Sequence, residues 1–393
     1  MTPAARVQAA IELLDEIIAA ATTKGPPADR LIGDYFRARR YAGSKDRRAV
    51  RDLVYRAVRA CGPVPVSGRA AILALAKSEP YLADLFDGSA YGPAKIVQGE
   101  PVAHTGLAPQ WLSEHLTASG IKGDAAEALL ERAPLDIRVN TLKADRASLD
   151  LPLAGEHLLA QQGLRFPLGT PVEQWDAYRL GYLEVQDHGS QLAIEAIAAK
   201  PGDTVLDLCA GAGGKTLALA AKLGNTGTLI AADTNRRRLD QLAPRAERAG
   251  AVIDQTILLD PGREREGLSP WERKVDHVLV DAPCSGSGTW RRNPESRWRL
   301  DEAELDRLIA LQDHVLNVGA CCVRPGGTLT FVTCSLLDVE GPARINAFLV
   351  RHSHWQAELS DLTFGDARGV GTRLDPFHHG TDGFFIAILR APC

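Results

Sequence analysis

From residue 186 onward, short apolar runs alternate with helical patterns, and this alternation restricts the chain to very few folds. Apolar strands are expected at 204–210, 228–233, 255–260, 275–281 and 327–333. Helices at 215–223, 236–249, 302–322 and 341–351 separate or follow them, and a last strand lies at 384–390. Strands that are apolar on both faces must be covered on both faces, and intervening helices supply the crossovers that parallel pairing requires. The expected fold is therefore α/β, a doubly wound and mostly parallel sheet. Earlier in the chain the period is different. Residues 3–22 and 46–60 carry apolar positions at helical spacing, and the pattern resumes over 69–86 after the break G-P-V-P at 62–65. A Gly- and Pro-rich stretch at 87–109 reads as a linker, and helical pattern returns at 110–116 and 123–132. From Ile137 the run I-R-V-N-T-L alternates as a strand does, and 178–185 is another short extended piece. The boundaries expected are an all-α domain with its linker at 1–132, a small α+β connecting subdomain at 133–185 and the doubly wound domain at 186–393.

A length of 393 residues suits two or three domains with a sizeable core. No apolar run is long enough to cross a bilayer. The opening M-T-P-A-A-R-V-Q-A-A-I-E-L-L-D-E-I-I carries acids inside its apolar stretch and reads as an amphipathic helix, not a signal peptide. Seven cysteines, at 61, 209, 284, 321, 322, 334 and 393, are odd in number and include no C-x-x-C pair. That argues against a disulfide framework and a zinc site, so the expectation is a cytoplasmic, metal-free protein with reduced thiols; a monomer is expected as well. A net charge of −4 does not favour nucleic acid, but 37–59 concentrates arginines against two aspartates. Such a stripe is either a solvated helix face with i,i+4 pairs or a phosphate-binding face.

The first strand of the alternation runs into a glycine turn, T-V-L-D-L-C-A-G-A-G-G-K-T at 204–216. A P-loop would need glycine where Cys209 stands. A dinucleotide fingerprint is met only to Gly211-Ala212-Gly213-Gly214-Lys215-Thr216, with Thr in the last place. The acidic-strand version, with Asp207 before G-A-G-G, suits S-adenosylmethionine, whose carboxylate end needs backbone donors and little room. Asp233 ends the second strand, where a carboxylate can accept both ribose hydroxyls, and Asp260 ends the third, where it can receive the adenine amino group. Any one such aspartate is more often a helix cap; three in succession after a glycine turn point to a ligand crevice.

Two further strands end in cysteines: V-L-V-D-A-P-C-S-G-S-G at 278–288 and T-L-T-F-V-T-C-S at 328–335. Cys321 and Cys322 fit the usual role of small buried hydrophobes, whereas Cys284 sits in a sharp polar turn. Methylating oxygen or nitrogen needs only a positioned lone pair. Carbon 5 of a pyrimidine is not nucleophilic until a thiolate adds to carbon 6; the resulting enamine takes the methyl group at carbon 5, a base then removes the carbon-5 proton, and the thiol is eliminated. That chemistry also needs charge stabilisation, for which Asp281 and Lys215 are candidates. The residues alone leave open which thiol attacks.

Together with R-V-N-T-L-K, V-Q-D-H-G-S-Q and the terminal T-D-G-F-F-I-A-I-L, these motifs resemble the RNA 5-methylcytosine methyltransferases of the Nop/Sun family over about 137–389. The N-terminal segment is similar, more loosely, to the NusB-like RNA-binding domain of a bacterial member that methylates small-subunit ribosomal RNA. The resemblance implies a Rossmann-like class I S-adenosylmethionine-dependent methyltransferase behind an all-α N-terminal domain, acting on carbon 5 of a cytidine in RNA. Ribosomal RNA is the expected partner and transfer RNA the alternative. It implies Cys334 as nucleophile and Cys284 as the thiol that assists release. Cofactor contacts are implied for Cys209, Ala210, Gly211, Ala212, Gly213, Gly214 and Lys215, with Asp233, Asp260 and Asp281. Contact with RNA is implied for Arg138 and Asn140. In G-T-W-R-R-N-P-E-S-R-W at 288–298, Arg291, Arg292 and Arg297 are expected to hold phosphates and the tryptophans to stack on bases, against the alternative of a surface loop with buried tryptophans. Gly211-Ala212 departs from the Ala-Pro of many relatives, which loosens the turn and keeps its donors. A DNA cytosine-5 methyltransferase would show P-C-Q and no T-C-S thiol, and a non-catalytic assembly factor would be expected to have lost a thiol or the glycine turn.

Overall fold

The computed structural model describes residues 1–358 and 363–393. It divides into a helical unit, Met1–Arg132 with Thr289–Glu302, and a sheet unit, Ala133–Gly288 with Ala303–Cys393. The segment 289–302, expected within the doubly wound domain, thus belongs to the helical unit.

The helical unit contains α1 (Pro3–Thr22), α2 (Ala28–Ala38), α3 (Ser44–Ala60), α4 (Gly68–Ala76) and α5 (Gln110–Ala118). The first helix starts where the Thr2 hydroxyl accepts from the Ala5 N–H at 3.1 Å and Pro3 occupies the first helical position. Val7, Ala10, Leu14 and Ile17 recur three and four apart, and this stripe is buried in one core with Val50, Val54, Ala57 and Val58 of α3 and Ile72 of α4. No helix was expected at α2, whose buried stripe is only Ala28, Ile32, Tyr35 and Phe36.

Segment 289–302 caps these helices. Glu295 accepts from the N–H of Ala28, the first residue of α2, at 3.2 Å. Arg297 donates to the carbonyls of Val58 at 2.6 Å and Cys61 at 2.7 Å, satisfying the end of α3 with the charge that a helix C-terminus favours. Trp298 Nε1 reaches the Gly62 carbonyl at 3.1 Å, and Arg299 reaches that of Gly25 at 2.8 Å.

The sheet unit opens with a small antiparallel sheet of β1 (Leu135–Val139), β2 (Glu156–His157), β3 (Gly163–Phe166) and β4 (Leu183–Val185), in the order β2-β3-β1-β4. The large sheet holds β5 (Thr204–Asp207), β6 (Thr228–Asp233), β7 (Gln255–Leu258), β8 (Val275–Asp281), β9 (Val323–Thr333), β10 (Gln356–Glu358), β11 (Asp366–Arg368), β12 (Gly371–Leu374) and β13 (Phe384–Arg390). Its order is β11-β12-β13-β9-β8-β5-β6-β7, with β10 on β13. Strands β7, β6, β5, β8 and β9 are parallel, and β13 runs antiparallel beside β9. The chain leaves β5 outward to β6 and β7, then returns to β8 on the other side. That reversal opens a crevice at the carboxyl ends of β5 and β8.

Helices α6 (His188–Glu195), α7 (Gly214–Leu223), α8 (Leu242–Ala249), α9 (Glu302–Cys322) and α10 (Pro342–Arg351) accompany the sheet. Period-2 alternation sends Leu206, Ile230, Val278, Val280, Leu329 and Phe331 into one core with Leu316 and Phe348, and Val205, Leu229, Leu279 and Val332 into another with Ala218 and Leu219. The helix expected at 236–249 is broken into Arg236–Leu239 and Leu242–Ala249. Pro244 explains the break, since its ring excludes the carbonyl of residue 240 from a continuous helix. Among the described residues, no helix is long and apolar enough to cross a membrane.

Candidate active site

Strand β5 ends at Asp207, and the chain turns through 208–213 into α7. Gly211 (φ 55°) and Gly213 (φ 86°) are left-handed, a backbone that strains any other residue, and a Cβ on Gly213 would also press Leu242 Cδ1 at 2.1 Å. Polar side chains pin the turn from outside. Gly211 N–H donates to Asp233 Oδ2 at 2.7 Å, and Arg245 donates to the Ala212 carbonyl at 2.6 Å. Gln186 Nε2 reaches the Gly214 carbonyl at 3.4 Å while its Oε1 accepts from Arg138 Nε at 2.8 Å.

Arg138 is therefore a buried support of the turn, and burial lowers its pKa to about 10. Asn140 is also buried and donates to the carbonyls of Gly181 at 2.8 Å and Ala249 at 2.7 Å. Both were expected at RNA; the structure spends their hydrogen bonds inside the protein.

Two further carboxylates, Asp281 and Asp233, lie within electrostatic reach of Asp207 at the turn. Asp207 accepts from Thr216 Oγ1 at 2.7 Å through Oδ2, while its buried Oδ1 has no partner. Burial raises its pKa to about 7, and the charges of Asp281 and Asp233 push the same way. Asp233 also accepts from the Asn235 N–H at 2.6 Å, which fixes the end of β6. Asp281 pairs with Lys215 Nζ at 2.7 Å. Burial works against the Lys215 charge, but Asp281 outweighs it and holds the ammonium above its ordinary range. Asp260 lies exposed two residues beyond β7.

The turn, with open space at the Cβ position of Gly214 and an orphaned carboxylate oxygen on Asp207, fits the amino-acid end of S-adenosylmethionine. Residues 209–215 would supply backbone donors, and Asp207 would receive an ammonium. Cys209, within this stretch, is pushed well above the ordinary thiol range, first by burial.

Cys284 and Cys334 stand just past the carboxyl ends of β8 and β9, with sulfurs 3.4 Å apart. The hydrogen bond to Cys334, then burial, holds the Cys284 thiol well above its usual pKa. The Lys215 ammonium lies within electrostatic reach of Cys334. A close backbone approach seats the first turn: Gly383 N–H donates to the Gly288 carbonyl at 2.8 Å, and a Cβ on Gly288 would fall 2.2 Å from the Gly383 carbonyl oxygen. The motif V-Q-D meets T-D-G in the same way, Asp187 accepting from the Asp382 N–H at 3.1 Å.

Of the residues at 289–302 expected at RNA, the structure buries Arg291, Arg297 and both tryptophans. Arg297 is fully buried on backbone carbonyls, burial lowering its pKa to about 10, and Arg291 is buried too. Arg292 is half-buried. Trp290 and Trp298 are buried and offer no face to a base. In the 37–59 stripe, Arg37, Arg39, Arg51 and Arg56 form ion pairs with Asp34, Glu12, Asp29 and Glu79. Arg40, Lys45 and Arg48 are exposed outside those pairs. Sequence reasoning missed Glu340 and Gln312, both fully buried beside the thiol turns. It also missed one set of possible metal ligands, Asp366, Asp375 and His378, within 4.8 Å of one another. Asp375 is already engaged there, capping the N–H groups of Phe377 and His378.

Residues 194–390 match the family model described as 16S rRNA methyltransferase RsmB/F. The chain is 34% identical over 298 residues to a "Probable ribosomal RNA small subunit methyltransferase B" of Synechocystis sp., covering 72% of this chain and 66% of that protein. Against the "Ribosomal RNA small subunit methyltransferase B" of Xylella fastidiosa strain 9a5c it is 32% identical over 293 residues, 72% of this chain and 68% of that one. The chain thus spans about two thirds of the length of these relatives. The crystal structure of PH0851 aligns with a TM-score of 0.76 at 25% identity over 99% of both chains. That of NSun6 from Pyrococcus horikoshii with SFG aligns with a TM-score of 0.60 at 21% identity, over 72% of this chain and 98% of that one, a likeness of fold. The large sheet is the Rossmann-like sheet of S-adenosylmethionine-dependent methyltransferases, and the chain belongs to the RsmB/F family of 16S rRNA methyltransferases.

Proposed function

We propose that the protein methylates carbon 5 of a cytidine in small-subunit ribosomal RNA through a covalent bond from Cys334 to carbon 6. The observation that carries this reading is the pair of thiols 3.4 Å apart beside the Lys215–Asp281 ion pair. Oxygen or nitrogen methylation gives such a pair no task. S-adenosylmethionine, when bound, supplies an electrophilic methyl group.

Cys334 forms the carbon 6–sulfur bond and turns the ring into an enamine, nucleophilic at carbon 5. Lys215 and Asp281 are suited to stabilise the charge on the ring during addition. Release requires loss of the carbon-5 proton and cleavage of the carbon 6–sulfur bond, whose electron pair returns to Cys334. Cys284 is suited to that half. The hydrogen bond with Cys334 that raises its pKa is lost when Cys334 bonds to carbon 6, which favours its ionisation, while burial still opposes it. Of the residues expected to hold phosphates, the exposed Arg40, Lys45 and Arg48 replace the buried arginines of 289–302 in this reading.

Bisulfite sequencing of total RNA from a strain lacking the gene tests the substrate. The expected result is loss of one protected cytidine in small-subunit ribosomal RNA. Loss in transfer RNA alone transfers the activity to that substrate, and an unchanged map overturns cytidine C5 methylation.

A further inference from the structure

One buried carboxylate joins the two turns that carry the thiols. Glu340 ends the short 3-10 turn Asp338–Glu340 and is fully buried. Its Oε1 accepts from the Ser285 backbone N–H at 2.8 Å and from Gln312 Nε2 at 2.9 Å. Its Oε2 accepts from the hydroxyls of Ser335, at 2.6 Å, and Ser285. Ser285 directly follows Cys284, and Ser335 directly follows Cys334. Gln312 also donates to the carbonyl of Pro283, on the other side of Cys284, at 2.9 Å. Ser287 continues the seam, 3.0 Å from the Ser335 hydroxyl and accepting from the Leu336 N–H at 2.9 Å.

A carboxylate is tolerated in a dry interior only when donors surround it. Here each oxygen takes two, all from the thiol turns or from α9, which leaves Glu340 without spare acceptor capacity for a substrate. Its chemistry is placement.

We propose that Glu340 is a positioning residue that sets the register of Cys284 against Cys334 and thereby governs the release half of the reaction. This rests on the reading of the two thiols as partners in one methyl transfer. Of the two thiols, addition to carbon 6 uses only Cys334. Release requires Cys284 to reach the adduct, so a shift between the two turns slows release more than addition.

The test compares wild type, Glu340→Gln, Glu340→Ala and Ser335→Ala as full chains, with two readouts. The first is the rate at which diamide couples Cys284 to Cys334, read by peptide mass mapping. Each thiol loses one proton and one electron, and diamide is reduced to its hydrazine. The second is the ratio of covalent protein–RNA band to methylated product, with S-adenosylmethionine and transcribed 16S RNA.

In variants that melt as wild type does, coupling should slow by about tenfold, since misplacement by an ångström can cost up to ~10²-fold in a positioned reaction. The covalent band should grow relative to product. Glu340→Gln, which keeps one acceptor oxygen, should lie between wild type and Glu340→Ala. Adding Ser335→Ala to Glu340→Gln should cost little more, because both act on one network. If Glu340→Ala fails to fold, Glu340→Gln and Ser335→Ala still decide the matter. Unchanged coupling in a folded variant, or a proportional fall of addition and release, overturns the proposal. Should wild type itself form neither adduct nor product, the reading of the thiols fails, and the diamide rate alone decides whether Glu340 sets their register.

Discussion

The sulfurs of Cys284 and Cys334 lie 3.4 Å apart although 50 residues separate them in the chain. Strands β8 and β9 are parallel neighbours in register from His277–Thr328 to Asp281–Val332, so both polypeptides leave the sheet at the same edge. Two turns then bend the cysteines toward one another.

Cys334→Ala should abolish methylation and form no covalent RNA complex. Cys284→Ala should still permit addition and methyl transfer, then stall, leaving protein joined to RNA as a slow-migrating band on a denaturing gel. Cys321→Ala should do neither, since that thiol lies in α9 bonded to the Asn317 carbonyl. Trapping by Cys334→Ala and not by Cys284→Ala would reverse the two roles. No adduct with either mutant, in the presence of cofactor and an RNA that wild type methylates, removes the covalent mechanism.

Asp233→Ala should weaken S-adenosylmethionine binding and leave RNA affinity unchanged. A charge-assisted hydrogen bond is worth roughly 1.5–3 kcal/mol when lost. The Gly211 N–H also loses its acceptor, so the glycine turn loosens as well. Titration calorimetry with the cofactor measures both effects together, and unchanged affinity takes Asp233 out of the site.

How much of this was legible in the sequence depended on distance along the chain. The strands ending at Asp281 and at Arg390 were visible because sheet burial writes itself into consecutive residues. The glycine turn was visible because backbone geometry selects its residues locally. Arg297 was misread: its partner Cys61 is 236 positions away, and a buried arginine that satisfies helix carbonyls has the same letter as one that binds phosphate. Glu340 escaped notice for the same reason, since the Ser285 N–H it accepts from is 55 positions distant. The arginines of 37–59 looked like a free stripe because Glu12, Asp29 and Glu79, which pair with three of them, lie outside that window.

Asp207 sets a pH dependence whose sign follows from its pKa, raised from 3.8 to about 7 by burial. Between those values the native state keeps a proton that the unfolded chain has lost. The stabilisation is therefore fully present below about pH 4 and lost as pH rises through about 7. Asp207→Asn cannot ionise. Without cofactor it should melt above wild type at pH 8, by an amount equivalent to about 2–4 kcal/mol, and the gap should shrink steadily toward pH 5. A gap independent of pH would mean that Asp207 is already ionised in the folded protein at neutral pH.

The last prediction separates buried from exposed basic residues. Deleting residues 1–132 would leave segment 289–302 without the helices it caps, so point substitutions are the cleaner test. Arg297→Ala strands the carbonyls of Val58 and Cys61 in a dry interior and should cost roughly 3 kcal/mol or more in stability. Where the variant is folded, its RNA affinity should keep the wild-type salt dependence. Replacing Arg40, Lys45 and Arg48 together by alanine should do the reverse. Those side chains are exposed, so melting should change little, while the slope of log affinity against log salt should fall by about 0.7 for each lost contact with single-stranded RNA. Filter binding across a salt series reads that slope directly. A wild-type slope in the triple variant would make the stripe a solvated face with no part in holding RNA.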